Sequence, residues 1–471
     1  VPDWAPDGCD LGVRLVGDDL SAPCIDGLER PYLALDAAAS TSALPAVAER
    51  VADFLPRYSS VHRGAGWKSQ LATVDYEAAR AAALAFAGKG AHQGGGGGAV
   101  AIICRNTTEA INHLAYRLRL APDDTVVTTV VEHHANLLPW ARLARRRYVE
   151  CGTDGTFDVD DVVAAIENGP RPRLLTVTGA SNVTGWLPPV DDIVAAAHER
   201  GVPVLVDAAQ VAAHRPLPAT ADFLAWSGHK MYAPYGGGVL VGPRSTFETG
   251  DPFLAGGGAV DLVGLDEVVW TDPPEREEAG SPNVVGAVAL HAAIDELGRI
   301  GWPAIVAHDD VLARRLRDGL AAVDGVRLLG PPVATQTLPV ATFVVEGVHH
   351  ALVAARLSAE HAIGVRHGCF CAHPYLLRLL GLDADEVAGF RSAVLRGDRR
   401  DIPGAVRASA GLSTTAADVD RFLGAVADIA GGAGPPVPYD QDPDTGDFWP
   451  RTEDPSWSSA ARHLGASCAR G

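Results

Sequence analysis

The 471-residue sequence predicts an α/β protein: a large domain built on a mainly parallel sheet, followed by a smaller α+β domain. Three observations carry this prediction. From about residue 81 to 295, short apolar runs alternate with segments of helical period. From about 296 to 430 the pattern changes to helices with two or three shorter strands. A composition that is 47% hydrophobic and 21% charged supplies a core large enough for two or three domains.

The strand candidates of the large domain are AVAIIC (99–104), TVVTTV (125–130), RLLTVTG (173–179), PVLVDAA (203–209), FLAWS (223–227) and GGVLVG (237–242). Helices fit between them, for example EAINHLAYRLRL (109–120) and VDDIVAAAHERG (190–201), the second ending on a C-cap glycine. The low-complexity run GKGAHQGGGGG (88–98) reads as a surface loop, because no Lys-Ser/Thr follows to make a P-loop. In the smaller domain the strand candidates are GVRLLG, VATFVVEG and IGVRHG. The tail GGAGPPVPYDQDPDTGDFWP is rich in Pro, Gly and Asp yet carries aromatics, so it is expected to drape over the surface. The predicted division is an N-terminal segment 1–55 packing with the small domain, a large domain 56–295, a small domain 296–430 and a tail 431–471.

A formal net charge of -19 argues against nucleic-acid binding, which needs clustered Lys and Arg; the basic runs at 145–147 and 396–400 are short. No apolar stretch reaches the roughly 18–20 residues of a membrane span, and the first residues lack a signal-peptide pattern, so a cytoplasmic protein is expected. Seven cysteines at irregular spacing, with no C-x-x-C, point to single thiols rather than a disulfide framework.

Ligands of parallel sheets bind beyond the strands' carboxyl ends, so the residues there matter most. After 99–104 come Asn106, Thr107 and Thr108 at a helix start, an arrangement that binds a phosphate or simply caps the helix. After 125–130 comes His133, placed to stack on a planar ligand, to act as an acid/base or to serve as a structural hydrogen-bonder. Its neighbour His134 would diverge from it, which argues against joint metal ligation. After 173–179 comes Asn182; Asp207 closes the apolar part of 203–209, and Gln210 follows it. A carboxylate closing an apolar strand needs a cation, and a protonated pyridine nitrogen would supply one. After 223–227 comes SGHK, with Lys230 in an apolar setting that lowers its pKa and makes it a nucleophile able to form a Schiff base. Ser227 and His229 beside it could donate to a phosphate. Anion site, stacker, buried acid and lysine at successive strand exits describe one ligand, pyridoxal 5'-phosphate (PLP).

With these motifs in place the sequence resembles the class V aminotransferase family of fold-type I PLP enzymes, and within it the group II, SUF-type cysteine desulfurases and selenocysteine lyases. The matching stretches are VHRGAG (61–66), RNTTEAIN, EHHANLLPW, SNVTG, VDAAQ, SGHKMYAPYGGGVL, GGG (256–258), EAGSPN and VRASAGLSTTAADVDRF (406–422), spread over about residues 30 to 425. The resemblance implies a seven-stranded sheet in the large domain. It implies Lys230 as the Schiff-base lysine, Asp207 as partner of the pyridine nitrogen, His133 stacked on the ring and Gln210 on the phenolic oxygen. Thr107, Thr108, Ser227 and His229 resemble the phosphate ligands. Ser281 resembles a residue that reaches the phosphate of a neighbouring subunit, which implies a homodimer. Arg407 resembles the clamp on the substrate carboxylate, helped by Asn182, with His62 and Arg63 as further substrate-binding residues.

The stretch GVRHGCFCAHPY (364–375) bears on the reaction. Cys371 falls in register with the family's nucleophilic cysteine, whose thiolate takes the substrate's sulfur as a persulfide and leaves alanine. Cys369 stands where the family more often has His, as a resolving thiol or a small loop residue. A metal reading of Cys369, Cys371 and His373 lacks a fourth ligand, so no metal is predicted. The Cys-Phe pair, and an insertion before Arg407, keep other outcomes open: β-elimination from a cysteine S-conjugate, transamination or decarboxylative deamination. A non-catalytic scaffold on a dead PLP fold is disfavoured because Lys230, Asp207, His133 and Arg407 are all retained. The expected partners are a small amino acid, a second subunit and a protein sulfur acceptor.

Overall fold

The computed structural model describes residues 10–90, 98–452 and 457. Most of the glycine-rich run expected as a loop, residues 91–97, lies outside them. Seven strands make the central sheet: β1 (Ala99–Cys104), β2 (Thr125–Thr129), β3 (Arg145–Val149), β4 (Leu174–Thr178), β5 (Val204–Asp207), β6 (Phe223–Ser227) and β7 (Gly238–Pro243). Their spatial order is β1-β7-β6-β5-β4-β2-β3, parallel except for β7, which runs antiparallel to β1 and β6. Every residue of β2, β4, β5 and β6 is buried, as expected of strands covered on both faces, so their sequences read as continuous apolar runs.

The strand the sequence concealed is β3, RRRYV, which looked like a basic run. Among the described residues it pairs only with β2, and charges along such an edge discourage further pairing. Three helices precede or enter the sheet: α1 (Pro45–Phe54), α2 (Trp67–Phe86) and α3 (Thr107–Arg117). α3 buries Ala110, Ile111 and Leu114 at helical spacing, and Asn106 Oδ1 accepts the Glu109 N–H at its start. Beyond the sheet, a hairpin of β8 (Val260–Val263) and β9 (Val268–Trp270) precedes α4 (Val284–Ile300).

A second, antiparallel sheet contains β10 (Val326–Leu329), β11 (Val340–Val345), β12 (Arg366–Gly368) and β13 (Ala405–Ser409) in the order β10-β11-β13-β12. The run IGVRHG, expected as one strand, divides: Ile363–Gly364 pairs in parallel with Leu33–Ala34, and only Arg366–Gly368 joins the sheet. α5 (Trp302–Ala321) and α6 (His350–His361) pack on it; α7 (Ala384–Leu395), in the insertion, buries no residue; α8 (Ala416–Ala430) completes a smaller core with Leu312, Leu316, Phe343, Phe422 and Val426. Leu33 and Leu35 belong to that smaller core, whereas Val47 and Val51 of α1 belong to the larger one around the central sheet. In the tail, β14 (Tyr439–Gln441) and β15 (Phe448–Pro450) form a hairpin on α6, with Tyr439 Oη donating to Glu360 Oε1 at 3.0 Å. No helix among the described residues is long and apolar enough to cross a membrane.

Candidate active site

The carboxyl ends of β1, β2, β4, β5 and β6 face one edge of the sheet, and a cavity of about 300 Å³ opens there against the second sheet. Its walls contain Thr107, Thr108, His133, Asn182, Asp207, Gln210, Ser227, His229, Lys230, Cys371 and Arg407, eleven of the residues the sequence singled out.

The anion-binding end is the start of α3. Thr107 N–H donates to Ser227 Oγ at 2.7 Å, and the two hydroxyls are also 2.7 Å apart, which ties the β1 exit to the β6 exit. Gly238 on β7 permits this: a Cβ there would lie 2.6 Å from Asn106 Cα. Thr108 and His229 complete the rim, where the hydroxyls and N–H groups at the start of a helix suit a phosphate.

Asp207 ends β5 with 4% exposure and accepts the Ala209 N–H at 3.0 Å. Burial pushes its pKa up, so the carboxylate calls for a cation held beside it. Gln210, also buried, donates to Ala38 O at 2.8 Å. His133 accepts the Ala135 N–H on Nδ1 at 3.0 Å, which leaves the ring proton on Nε2. Burial and then the Lys230 charge lower its pKa to about 3, so it is a neutral flat ring at working pH. Lys230 follows β6 in a short turn, and burial lowers its pKa to about 8, which leaves a substantial fraction as free amine.

The second sheet contributes the opposite wall. Arg407 on β13 is 3% exposed; Nη1 donates to Asn182 O at 2.8 Å and Nη2 to Asp36 Oδ1 at 3.0 Å. Its guanidinium carbon stands 5.1 Å from the centre of the Phe370 ring, and its buried Nε has no hydrogen-bond partner among the described residues. An unmatched guanidinium donor beside an open cavity suits a carboxylate. Cys371, exposed, enters from the turn after β12; its carbonyl accepts the His134 N–H at 2.8 Å.

Ser281, His62 and Arg63 are elsewhere. They line a second cavity of about 380 Å³, where His62 Nε2 lies 2.8 Å from Glu77 Oε1 and Arg63 Nη2 donates to Val260 O at 2.5 Å. Sequence reasoning missed Asp36, Arg366, Phe370 and Glu132. Asp36 bridges Arg407 and Arg366, each at 3.0 Å. Glu132, next to His133 in the chain, is fully buried, accepts from Thr129 Oγ1, Asn136 Nδ2 and Thr178 N, and has its pKa raised by burial to about 8. An acid following the apolar run 33–35 was the available sign of Asp36; nothing local distinguished Glu132 from its neighbours.

The Aminotransferase class-V family model matches residues 33–422. The chain belongs to the class V aminotransferase family. Within that family it is similar to the cysteine desulfurase of Dickeya dadantii, 37% identical over 362 residues covering 74% of this chain and 85% of the relative. It is 34% identical to the cysteine desulfurase of Haloferax volcanii over 390 residues, 80% of this chain and 89% of that one. Among solved structures, the apo cysteine desulfurase of Thermococcus onnurineus superposes with a TM-score of 0.74 at 32% identity, covering 85% of this chain and 95% of that one. The expected fold class is therefore met: the chain is an α/β enzyme of fold type I with a mostly parallel seven-stranded sheet.

Proposed function

We propose that this protein is a PLP-dependent cysteine desulfurase that converts L-cysteine to L-alanine and holds the sulfur on Cys371. The observation that carries the reading is that an exposed thiol, a buried arginine with an unmatched donor and a lysine of lowered pKa share one cavity. The residues fit the cofactor: Lys230 for covalent attachment, Asp207 for the ring nitrogen, His133 for the ring face, Gln210 for the phenolic oxygen, and Thr107, Thr108, Ser227 and His229 for the phosphate. When bound, PLP supplies an electron sink for the substrate's Cα.

The chain's own residues do the rest. Arg407 orients the substrate by its carboxylate, and the Asp36 carboxylate, the Asn182 carbonyl and the Phe370 ring hold the guanidinium in place. Lys230 Nζ carries protons to and from Cα, a task suited to an amine with a pKa near the working pH. Cys371 Sγ attacks the substrate's sulfur, forming an S–S bond as the C–S bond breaks. Because Cys371 is exposed, a thiol acceptor on another protein can reach the persulfide. A working thiol suits the reducing cytoplasm.

A homodimer accompanies this reading. The β8–β9 hairpin leaves Leu262, Val263, Leu265, Val268 and Val269 exposed, an apolar surface suited to a second copy, and it adjoins the cavity that holds Ser281, His62 and Arg63. Sedimentation analysis tests it: a monomer at micromolar concentration refutes it. The reaction is tested by incubating wild type and Cys371→Ala with L-cysteine and quantifying alanine, sulfide and pyruvate. Alanine lost in the variant supports the desulfurase; pyruvate from both proteins identifies a C–S lyase instead.

A further inference from the structure

The thiol that lines the cavity has a second thiol beside it. Cys369 and Cys371 flank Phe370, and Phe370 and Cys371 take φ values of 55° and 53°, a conformation non-glycine residues adopt reluctantly. Ala372 N–H donates to Cys369 O at 3.0 Å, closing a tight turn over the two residues. The turn is pinned from outside: Asn182 Nδ2 donates to Phe370 O at 2.7 Å and His134 N–H to Cys371 O at 2.8 Å. Two residues apart in a folded-back turn, the Cα atoms stand on the order of 5–6 Å apart, inside the roughly 4.4–6.8 Å that a disulfide spans.

The two thiols differ in their surroundings. Cys371 is exposed and lines the cavity, whereas Cys369 is half-buried and packs against the larger core. Burial raises the pKa of Cys369; the Cys371 N–H, hydrogen-bonded to it, lowers it, and the Cys371 thiolate charge raises it. Cys369 is thus poorly placed to take sulfur from the substrate and well placed to react with what Cys371 then carries.

We infer that Cys369 is a resolving thiol that releases the sulfur of the Cys371 persulfide as free sulfide when no acceptor thiol takes it. This rests on the desulfurase reading. Cys369 Sγ, after losing its proton to solvent, attacks Cys371 Sγ; the bond from Cys371 Sγ to the terminal sulfur breaks, and that sulfur leaves with the electron pair as hydrosulfide. Hydrosulfide is the better leaving group because hydrogen sulfide is a stronger acid than a cysteine thiol. The Cys369–Cys371 disulfide formed is at the oxidation level of the persulfide, so no oxidant is consumed. Two electrons from a dithiol reductant then restore both thiols for the next turnover.

The test uses the PLP-loaded enzyme, one equivalent of L-cysteine and no reductant, followed by alkylation and mass mapping of the peptide containing both cysteines. In wild type the peptide is expected to be lighter than the dithiol by two hydrogens, with sulfide released in step with alanine. In Cys369→Ser and Cys369→Ala, alanine forms but the extra sulfur stays on Cys371, and sulfide release slows by about tenfold or more. An unchanged visible cofactor spectrum reports that the variants are folded. Equal persulfide lifetimes in wild type and both variants overturn the inference. Absence of alanine from wild type refutes the desulfurase reading itself, and the inference with it.

Discussion

Two walls of one cavity are built by different means. The wall proposed for the cofactor consists of residues at the ends of strands of the central sheet, of which β2, β4, β5 and β6 are paired on both sides and β1 is an edge. The wall proposed for the sulfur consists of a short turn with two strained residues, held by a carbonyl on each. The proposed function thus places the chemistry common to the family on the rigid element, and the part proposed to decide the outcome on a loop that can vary without unfolding the sheet.

If that division is right, damage on the first wall removes cofactor and reaction together, and damage on the second removes only the reaction. Lys230→Ala is expected to lower turnover by roughly 10³-fold or more and to abolish the visible absorbance of bound cofactor, read in one spectrum. Cys371→Ala should lower alanine formation by about 10²-fold or more while that absorbance is unchanged; a lost spectrum would erase the distinction between the walls. Arg407→Lys, which loses the planar fork, should reduce kcat/KM by about 10–100-fold, mainly through KM, with the cofactor spectrum intact. Gly238→Ala forces a Cβ against the Asn106 backbone, so it should cost about 1–3 kcal/mol in denaturant unfolding and weaken PLP retention in dialysis.

The smallest effect concerns pH. Burial lowers the pKa of Lys230, so the amine is neutral above about 8 and protonated below it. The initial rate of cofactor uptake by stripped protein should therefore rise roughly fivefold from pH 7 to pH 8 and level off above about pH 9. A rate independent of pH across that range would show that another group governs attachment.

The cofactor wall was the legible one because strand exits can be read from apolar runs, and Thr107, His133, Asp207 and Lys230 each follow such a run. β3 was hidden because an edge strand gains by carrying charge, which removes the apolar pattern that reveals its neighbours. Asp36 and Glu132 act through partners far along the chain, Arg407 for one and Thr178 for the other, and pairings at that distance leave no periodic trace. Ser281, His62 and Arg63 gather in a second cavity that the carried-over motifs could not separate from the first. The divided strand IGVRHG shows the same limit, since the partner that claims its first half is Leu33–Ala34.

The ion pair between Arg407 and Asp36 joins positions 371 residues apart. Synthesis runs from the amino end, so Asp36 emerges before Arg407 and waits for it until the large sheet between them has been made. The grip proposed for the substrate's carboxylate is thus assembled last, by closing a loop of 371 residues, and the entropic cost of that closure grows only slowly with length. Until Arg407 has been made, Asp36 lacks the partner it holds in the folded protein, so the grip proposed for the substrate's carboxylate is incomplete.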